Sequence, residues 1–176
     1  MTDDNLSERL RKEFNFSEDE IIITLKKVTS FSTELFALFE KWFDIGAIPE
    51  KKFFGVGFND ILSIKDNNPV KAFIFFDWIL RDPERTANAN KLFTLGYPVY
   101  MLENSLIKIE NLQPKLKPLY NEWLRNNKEP EISIRNYSYH DLISRFKMKP
   151  IGAFFTLDWL IREPEKAMAA LERGIM

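Results

Sequence analysis

The chain has 176 residues, with 25 Lys and Arg against 26 Asp and Glu, no cysteine, and an apolar fraction of 45% that includes sixteen phenylalanines. This composition predicts a folded chain with an aromatic interior, excludes disulfides and thiolate sites, and provides no net charge to attract nucleic acid or an anionic bilayer. The polar N-terminus lacks a signal-peptide pattern, and no apolar run approaches the roughly 18 residues of a membrane-spanning helix, so we expect a cytoplasmic protein that does not cross a membrane.

The chain opens with a polar segment, residues 1 to 20, that we predict to be mainly helical. Leu6, Leu10 and Phe14 recur every four residues, which indicates a helix with a narrow apolar stripe. Ser17, with an acid three residues later, has the pattern of a helix cap. We expect residues 21 to 25 to continue as helix, although a strand fits the same residues.

An internal repeat then organises the rest of the sequence. Residues 21 to 95 align without gaps on residues 102 to 176, and 18 of the 75 aligned positions are identical. Unrelated segments would share only about four or five positions, and self-similarity at a fixed spacing indicates repeated structure. All four tryptophans fall in matched pairs. We therefore predict two repeats, joined by residues 96 to 101.

An amphipathic helix is the first strong signal inside each repeat. Its apolar residues follow the i, i+3, i+4, i+7 spacing: Leu35, Leu38, Phe39, Trp42 and Phe43 in the first copy, with Leu116, Leu119, Tyr120, Trp123 and Leu124 as their echo. Pro114 and Pro118 must lie in or before the first turn of the second copy. Gly46 and the Asn126–Asn127 pair are expected to end the two helices.

A linker and a short helix follow. In the second copy Ile132 and Ile134 alternate with polar neighbours, so an alternative has short strands at 53 to 57 and 132 to 137. These strands could pair between the two copies and would change the class to α+β. A short helix is expected next, with Ser138 as its cap and Asp141 in its first turn. Gly57 and Asp60 hold the same positions in the first copy.

The central helix of each repeat begins at Pro69 or Pro150 and is apolar on almost every side, which is typical of a buried helix. A second proline, Pro83 or Pro164, then starts a final helix. The predicted fold is therefore mostly α, with two tandem helical repeats of about 80 residues that share one core.

Two Asp–Arg pairs lie on the central helices at a spacing of four residues: Asp77 with Arg81, and Asp158 with Arg162. At this spacing the side chains meet on one helix face. We interpret them first as ion pairs that fix helix geometry. The alternative is a ligand-binding or enzymatic site in a cleft between the repeats, where the four residues would converge.

Other polar residues carry weaker signals. Arg145, Lys147 and Lys149 alternate with apolar residues and could contact nucleic acid, although one short loop neutralises few phosphates. His140 is the sole histidine, so a zinc site is disfavoured, and neither Ser138 nor Ser144 has the flanking pattern of a nucleophile. We expect no metal and no cofactor.

The sequence favours a non-enzymatic, cytoplasmic protein-interaction module, such as an inhibitor, an adaptor or an immunity-type protein. Its partner is expected to be another protein, and a homodimer is compatible with the sequence. The small-molecule site and nucleic-acid binding through residues 145 to 149 remain as alternatives from other functional classes.

Overall fold

The computed structural model describes residues 2 to 174, which are mostly helical, as predicted. The elements of the first half are α1 (Asp3–Phe14), α2 (Glu18–Val28), α3 (Thr33–Ile45), α4 (Phe58–Ile64), α5 (Pro69–Leu80) and α6 (Pro83–Thr94). The second half contains a 3-10 turn (Val99–Met101), α7 (Leu102–Glu110), α8 (Lys117–Asn126), β1 (Ser133–Ile134), β2 (Tyr137–Ser138), α9 (Tyr139–Ser144), α10 (Pro150–Arg162) and α11 (Pro164–Glu172). The ambiguous segment after Ser17 is helical.

The chain divides into two compact units, Met1–Phe93 and Thr94–Met176. The polar helix α1 packs against α2 within the first unit, and its Leu6 and Leu10 are fully buried there. The expected joint at 96 to 101 lies in the second unit and includes the 3-10 turn. That the two repeats share one core stays a prediction.

Helix ends recur at the 81-residue spacing. Helices α3 and α8 end at Ile45 and Asn126, and the next residue in each case, Gly46 or Asn127, is left-handed, with φ of 71° and 52°. Each of these residues donates its N–H to the carbonyl of the tryptophan four positions earlier, which satisfies one of the free carbonyls of a helix C-terminus. That residues 21 to 95 and 102 to 176 are two copies of one repeat stays a prediction.

A tight β-turn lies between α3 and α4, and another between α8 and α9. Phe53 bridges Val56 in the first unit, and Ile134 pairs with Tyr137 in the second. Both turns carry two residues of positive φ, as hairpin turns require: Phe54 (42°) and Gly55 (87°), Arg135 (51°) and Asn136 (69°). The strand pairing is therefore local, and the alternative in which strands of the two copies pair with each other is wrong.

Four aromatic rings pack together within the core of the first unit. The Phe39 ring on α3 meets the Phe73 ring on α5 edge to face, with centroids 5.2 Å apart and an interplanar angle of 82°. The rings of Trp42 and Phe58 also contact Phe73, with centroid distances of 5.9 and 4.6 Å. Such pairs contribute about 0.5–1.5 kcal/mol beyond the area that they bury, so these contacts fix α5 against α3 and α4.

The second unit has the same four-ring arrangement around Phe154 on α10. Tyr120 meets Phe154 edge to face at 5.1 Å and 80°, while Trp123 and Tyr139 contact it at 5.7 and 5.1 Å. Phe73 and Phe154 are both 0% exposed. The predicted burial of the central aromatic helices is therefore confirmed in each unit.

Gly55 gives a direct test of the first turn. Its φ of 87° is unfavourable for other residues, and an added Cβ would lie 2.6 Å from Cδ1 of Phe93, whose ring covers the turn. We expect Gly55→Ala to lower the free energy of unfolding by about 2–3 kcal/mol, and by only about 1 kcal/mol in a Phe93→Ala background, where the steric conflict is absent. Urea denaturation of the four proteins measures this coupling.

The matched control is Asn136→Ala, at the same turn position of the second unit, where φ is 69°. It changes only the backbone preference, so its effect should not depend on Phe93. Equal losses for Gly55→Ala with and without Phe93 would contradict the packing of that ring on the turn.

Candidate functional site

The first Asp–Arg pair links the central helix of its unit to the turn after α2. The Nε of Arg81 lies 2.6 Å from Oδ2 of Asp77, whose side chain is only 9% exposed. The Nη2 of Arg81 donates to the carbonyl oxygen of Ser30 at 2.9 Å and to its hydroxyl at 2.6 Å. The guanidinium therefore uses its donors on Asp77 and Ser30, and the ion pair predicted from the spacing is present.

The second pair repeats this arrangement 81 residues later. The Nε of Arg162 lies 2.6 Å from Oδ2 of Asp158, and the Arg162 guanidinium donates to the carbonyl of Asn111, at the turn after α7. The other carboxylate oxygen of Asp158 accepts the N–H of Gln113 at 2.8 Å. Both Asp–Arg pairs connect a central helix to a turn of the same unit, which supports a structural role. Ligand binding by Asp77, Arg81, Asp158 and Arg162 stays a prediction.

The basic residues proposed for nucleic acid differ in their surroundings. The ammonium of Lys149 donates to the carbonyls of Leu95 and Gly96 at 3.0 and 2.9 Å and lies 4.9 Å from the Tyr97 ring centroid. Lys149 therefore holds the segment after α6 against the start of α10.

The other two cations of this loop are exposed. The guanidinium of Arg145 lies 5.4 Å from the ring centroid of its own neighbour Phe146, and Lys147 adopts a left-handed backbone with φ of 57°. Phosphate binding by this loop would therefore depend on Arg145 and Lys147, which weakens the electrostatic case for nucleic acid.

No catalytic dyad forms around His140. Its side chain is 76% exposed, and its Nδ1 lies 3.8 Å from a carboxylate oxygen of Glu129. The Ser138 hydroxyl caps α9 by exchanging hydrogen bonds with Asp141, and the Ser144 hydroxyl donates to the His140 carbonyl. Both hydroxyls thus serve local helix geometry.

Burial affects one tyrosine strongly. The pKa of Tyr139 is raised well above its ordinary value, chiefly because the ring is buried and secondarily because of the charge of Glu129. The hydroxyl therefore stays neutral and acts as part of the aromatic core.

A shallow groove of about 550 Å³ runs along α8. Its lining belongs to that helix and the turn before it, and includes Lys117, Asn121, Glu122 and Arg125. The Oδ1 of Asn121 is buried there without a hydrogen-bond partner. Asp158 and Arg162 do not line this groove, so it is separate from the ligand site that the sequence predicted.

Two exposed apolar surfaces were not anticipated from the sequence. The first, here named the α2 stripe, consists of Asp19, Ile22, Ile23 and Lys26 on the outer face of α2; the two isoleucines are 50% and 54% exposed. The run of three isoleucines at 21 to 23 was a usable signal, because a helix that packs through one face cannot bury all of three consecutive residues.

The second surface, here named the α7 face, lies on the corresponding helix of the second unit. Tyr100, Met101 and Ile107 are 69%, 39% and 44% exposed. Tyr100 and Met101 belong to the 3-10 turn that leads into α7, and Ile107 and the exposed Asn104 lie on α7 itself. Large apolar side chains in such positions commonly mark interaction surfaces.

Other classes of site find no support in the described residues. Across residues 2 to 174, no group of three or more histidine and carboxylate side chains is placed to hold a metal ion. None of the helices in that range has the length and apolarity needed to span a bilayer.

The first pair can be tested by a double-mutant cycle. We expect Asp77→Asn and Arg81→Met each to lower the free energy of unfolding by about 1–3 kcal/mol, because each leaves a hydrogen-bonding partner unsatisfied. The coupling energy from urea denaturation should be about 1 kcal/mol. The same cycle at Asp158 and Arg162 is the matched control, and unchanged stability in both cycles would contradict the structural role.

The helix-capping carboxylates of Glu20 and Asp141 should make the stability of the fold depend on pH. Hydrogen bonds from the Ser17 N–H and then its hydroxyl lower the pKa of Glu20, and those from the Ser138 hydroxyl and then its N–H lower the pKa of Asp141. Because the folded pKa lies below the ordinary values of 4.5 and 3.8, the stabilisation is complete above those values. It is lost as pH falls through the lower folded pKa.

We therefore expect wild type to have a higher Tm than Glu20→Gln at pH 6, because only the carboxylate form accepts both hydrogen bonds as an anion at the helix N-terminus. The difference in Tm should shrink steadily below pH 4.5. Circular dichroism melts at stepped pH measure it, with Asp141→Asn as the parallel case. A difference independent of pH would contradict the assignment.

Comparisons with known proteins do not indicate a function, so any functional proposal rests on the structure. No protein-family model, curated protein or solved structure matches the chain. The surfaces of the two units therefore carry the functional argument.

Proposed function

We propose that this protein is a non-enzymatic, cytoplasmic protein-interaction module that acts by covering the surface of another protein. The observation that carries the proposal is the exposure of three large apolar side chains, Tyr100, Met101 and Ile107, on α7 and the turn that leads into it. Tyrosine and methionine are enriched in protein interfaces, and tyrosine is frequent among the residues that dominate binding energy.

The surroundings of the α7 face have the character of an interface rim. Asn104, Lys108, Glu110 and Asn111 are exposed beside the apolar side chains. A polar rim around an apolar centre excludes water from the contacts that contribute most to affinity. The face therefore fits a protein partner better than a small ligand, which needs a concave site.

The polar residues that recur in both units support a non-enzymatic role. Asp77 and Asp158 are engaged with arginines of their own helices, and those arginines also donate to backbone carbonyls. A catalytic acid, base or nucleophile needs reach to a substrate. These carboxylates instead face groups of their own unit.

Variant-dependent capture tests the proposal. Tagged wild type should retain a near-stoichiometric protein from a lysate of the source cells, and Tyr100→Glu combined with Ile107→Glu should abolish that retention by burying charge at the interface. The matched control is Ile45→Glu, which changes an isoleucine that is 72% exposed at the end of α3. It should retain the same protein as wild type.

Both variants alter exposed residues, so their melting temperatures should match wild type and exclude misfolding as the cause. Retention of the same protein by the double variant would overturn the role of the α7 face. Absence of any stoichiometric partner for wild type would overturn the proposed function.

A further inference from the structure

We propose that the α2 stripe binds a second copy of this chain, with the two α2 helices antiparallel about a two-fold axis that passes between Ile22 and Ile23. Ile21, Thr24 and Val28 face the interior of the unit and are at most 3% exposed, whereas Ile22 and Ile23 on the opposite side are about half exposed. No folding requirement of the unit accounts for two isoleucines in that position.

The spacing of the α2 stripe suits helix pairing. Asp19, Ile22, Ile23 and Lys26 follow the i, i+3, i+4, i+7 pattern, which places them in one row along the helix. Two helices that pack through such rows bury the central residues and leave the end residues at the margin. The apolar pair is central in the stripe and the charged residues are terminal.

The order of the charged residues along α2 favours an antiparallel α2 helix of a second copy as the partner. The first turn of α2 is acidic (Glu18, Asp19 and Glu20) and the last turn is basic (Lys26 and Lys27). In the antiparallel arrangement, a residue of one α2 helix faces the residue of the other α2 helix for which the two residue numbers add to 45. Ile22 and Ile23 then meet the same pair of the second copy, and Asp19 faces its Lys26.

The parallel arrangement is unfavourable for the same reason, because it would place Asp19 against Asp19 and Lys26 against Lys26 of the other copy. A surface that is complementary to itself under a two-fold rotation is the requirement for a symmetric dimer. Antiparallel pairing also aligns the helix dipoles favourably.

The key charges are available for this contact. In the part of the chain that the structure describes, Asp19 and Lys26 form no ion pair, whereas Glu18 accepts hydrogen bonds from Arg11 and Glu20 from Ser17. Asp19 and Lys26 of one copy would therefore pair with Lys26 and Asp19 of the other. Each dimer gains two such pairs by symmetry.

The contact area predicts weak association. Helix α2 has 11 residues and is only about 16 Å long, so the pairing buries less than the roughly 1,200 Å² of a stable interface. We expect a dissociation constant on the order of 100 µM. The α7 face takes no part, so this proposal and the proposed function can fail independently.

The corresponding face of the second unit does not have this pattern. Positions 22 and 23 correspond to Glu103 and Asn104, and position 26 corresponds to Ile107. The central residues there are polar, so the second unit cannot form the same symmetric contact. Ile45 belongs to neither named surface and is 72% exposed, so Ile45→Ser is the matched control for the loss of an exposed isoleucine.

Charge reversal with mixing tests the geometry. Sedimentation velocity of wild type from 10 µM to 1 mM should show a reversible dimer that weakens with added salt. Asp19→Lys and Lys26→Asp should each weaken association at least about tenfold, because each replaces both attractive contacts by like charges. An equimolar mixture of the two variants should associate again, since position 19 of each copy would once more face a charge of opposite sign at position 26 of the other.

The remaining variants locate the contact and separate the outcomes. Ile22→Ser with Ile23→Ser should abolish the dimer, and Ile45→Ser should leave it unchanged. A wild type that stays monomeric at 1 mM would overturn the proposal. So would a dimer that the charge variants do not weaken, because a parallel pairing or a contact elsewhere would be insensitive to them.

Discussion

The edge-to-face contact of Phe39 with Phe73 in the first unit, and of Tyr120 with Phe154 in the second, holds the central helix of each unit in place. It fixes α5 against α3 and α10 against α8. At the end of α5, Arg81 donates hydrogen bonds to Ser30 in the turn after α2. Ile21, Thr24 and Val28 of α2 are buried in the same unit, which leaves Ile22 and Ile23 on its outer face.

The two units keep this internal chain of contacts and differ on their outer faces. The four rings of each unit have centroid distances that agree to within about half an ångström, although phenylalanine is replaced by tyrosine at two positions. On the outer side, Ile23 corresponds to Asn104 and Lys26 corresponds to Ile107. Interior packing tolerates little change in volume, whereas solvent imposes no such limit, so the outer faces are free to serve different partners.

The sequence predicted the features that depend on residues close to one another. The cap at Ser17, the left-handed ends at Gly46 and Asn127, and the Asp77–Arg81 pair each require only neighbours within four positions. It could not predict that Lys149 binds the carbonyls of Leu95 and Gly96, because those acceptors lie more than 50 positions away. Exposure of Ile22 and Ile23 was missed for a related reason, since only the packed structure shows which face of α2 is inner.

Residues that recur in both units and residues that differ between them therefore have different explanations. A polar residue that recurs, such as Asp77 with Asp158, has a partner supplied by the fold at both places, and its presence needs no ligand. An exposed apolar residue that does not recur has no such explanation. Clusters of such residues commonly mark interaction surfaces. Functional contacts should thus be sought where the units disagree, which is on the outer faces of α2 and α7.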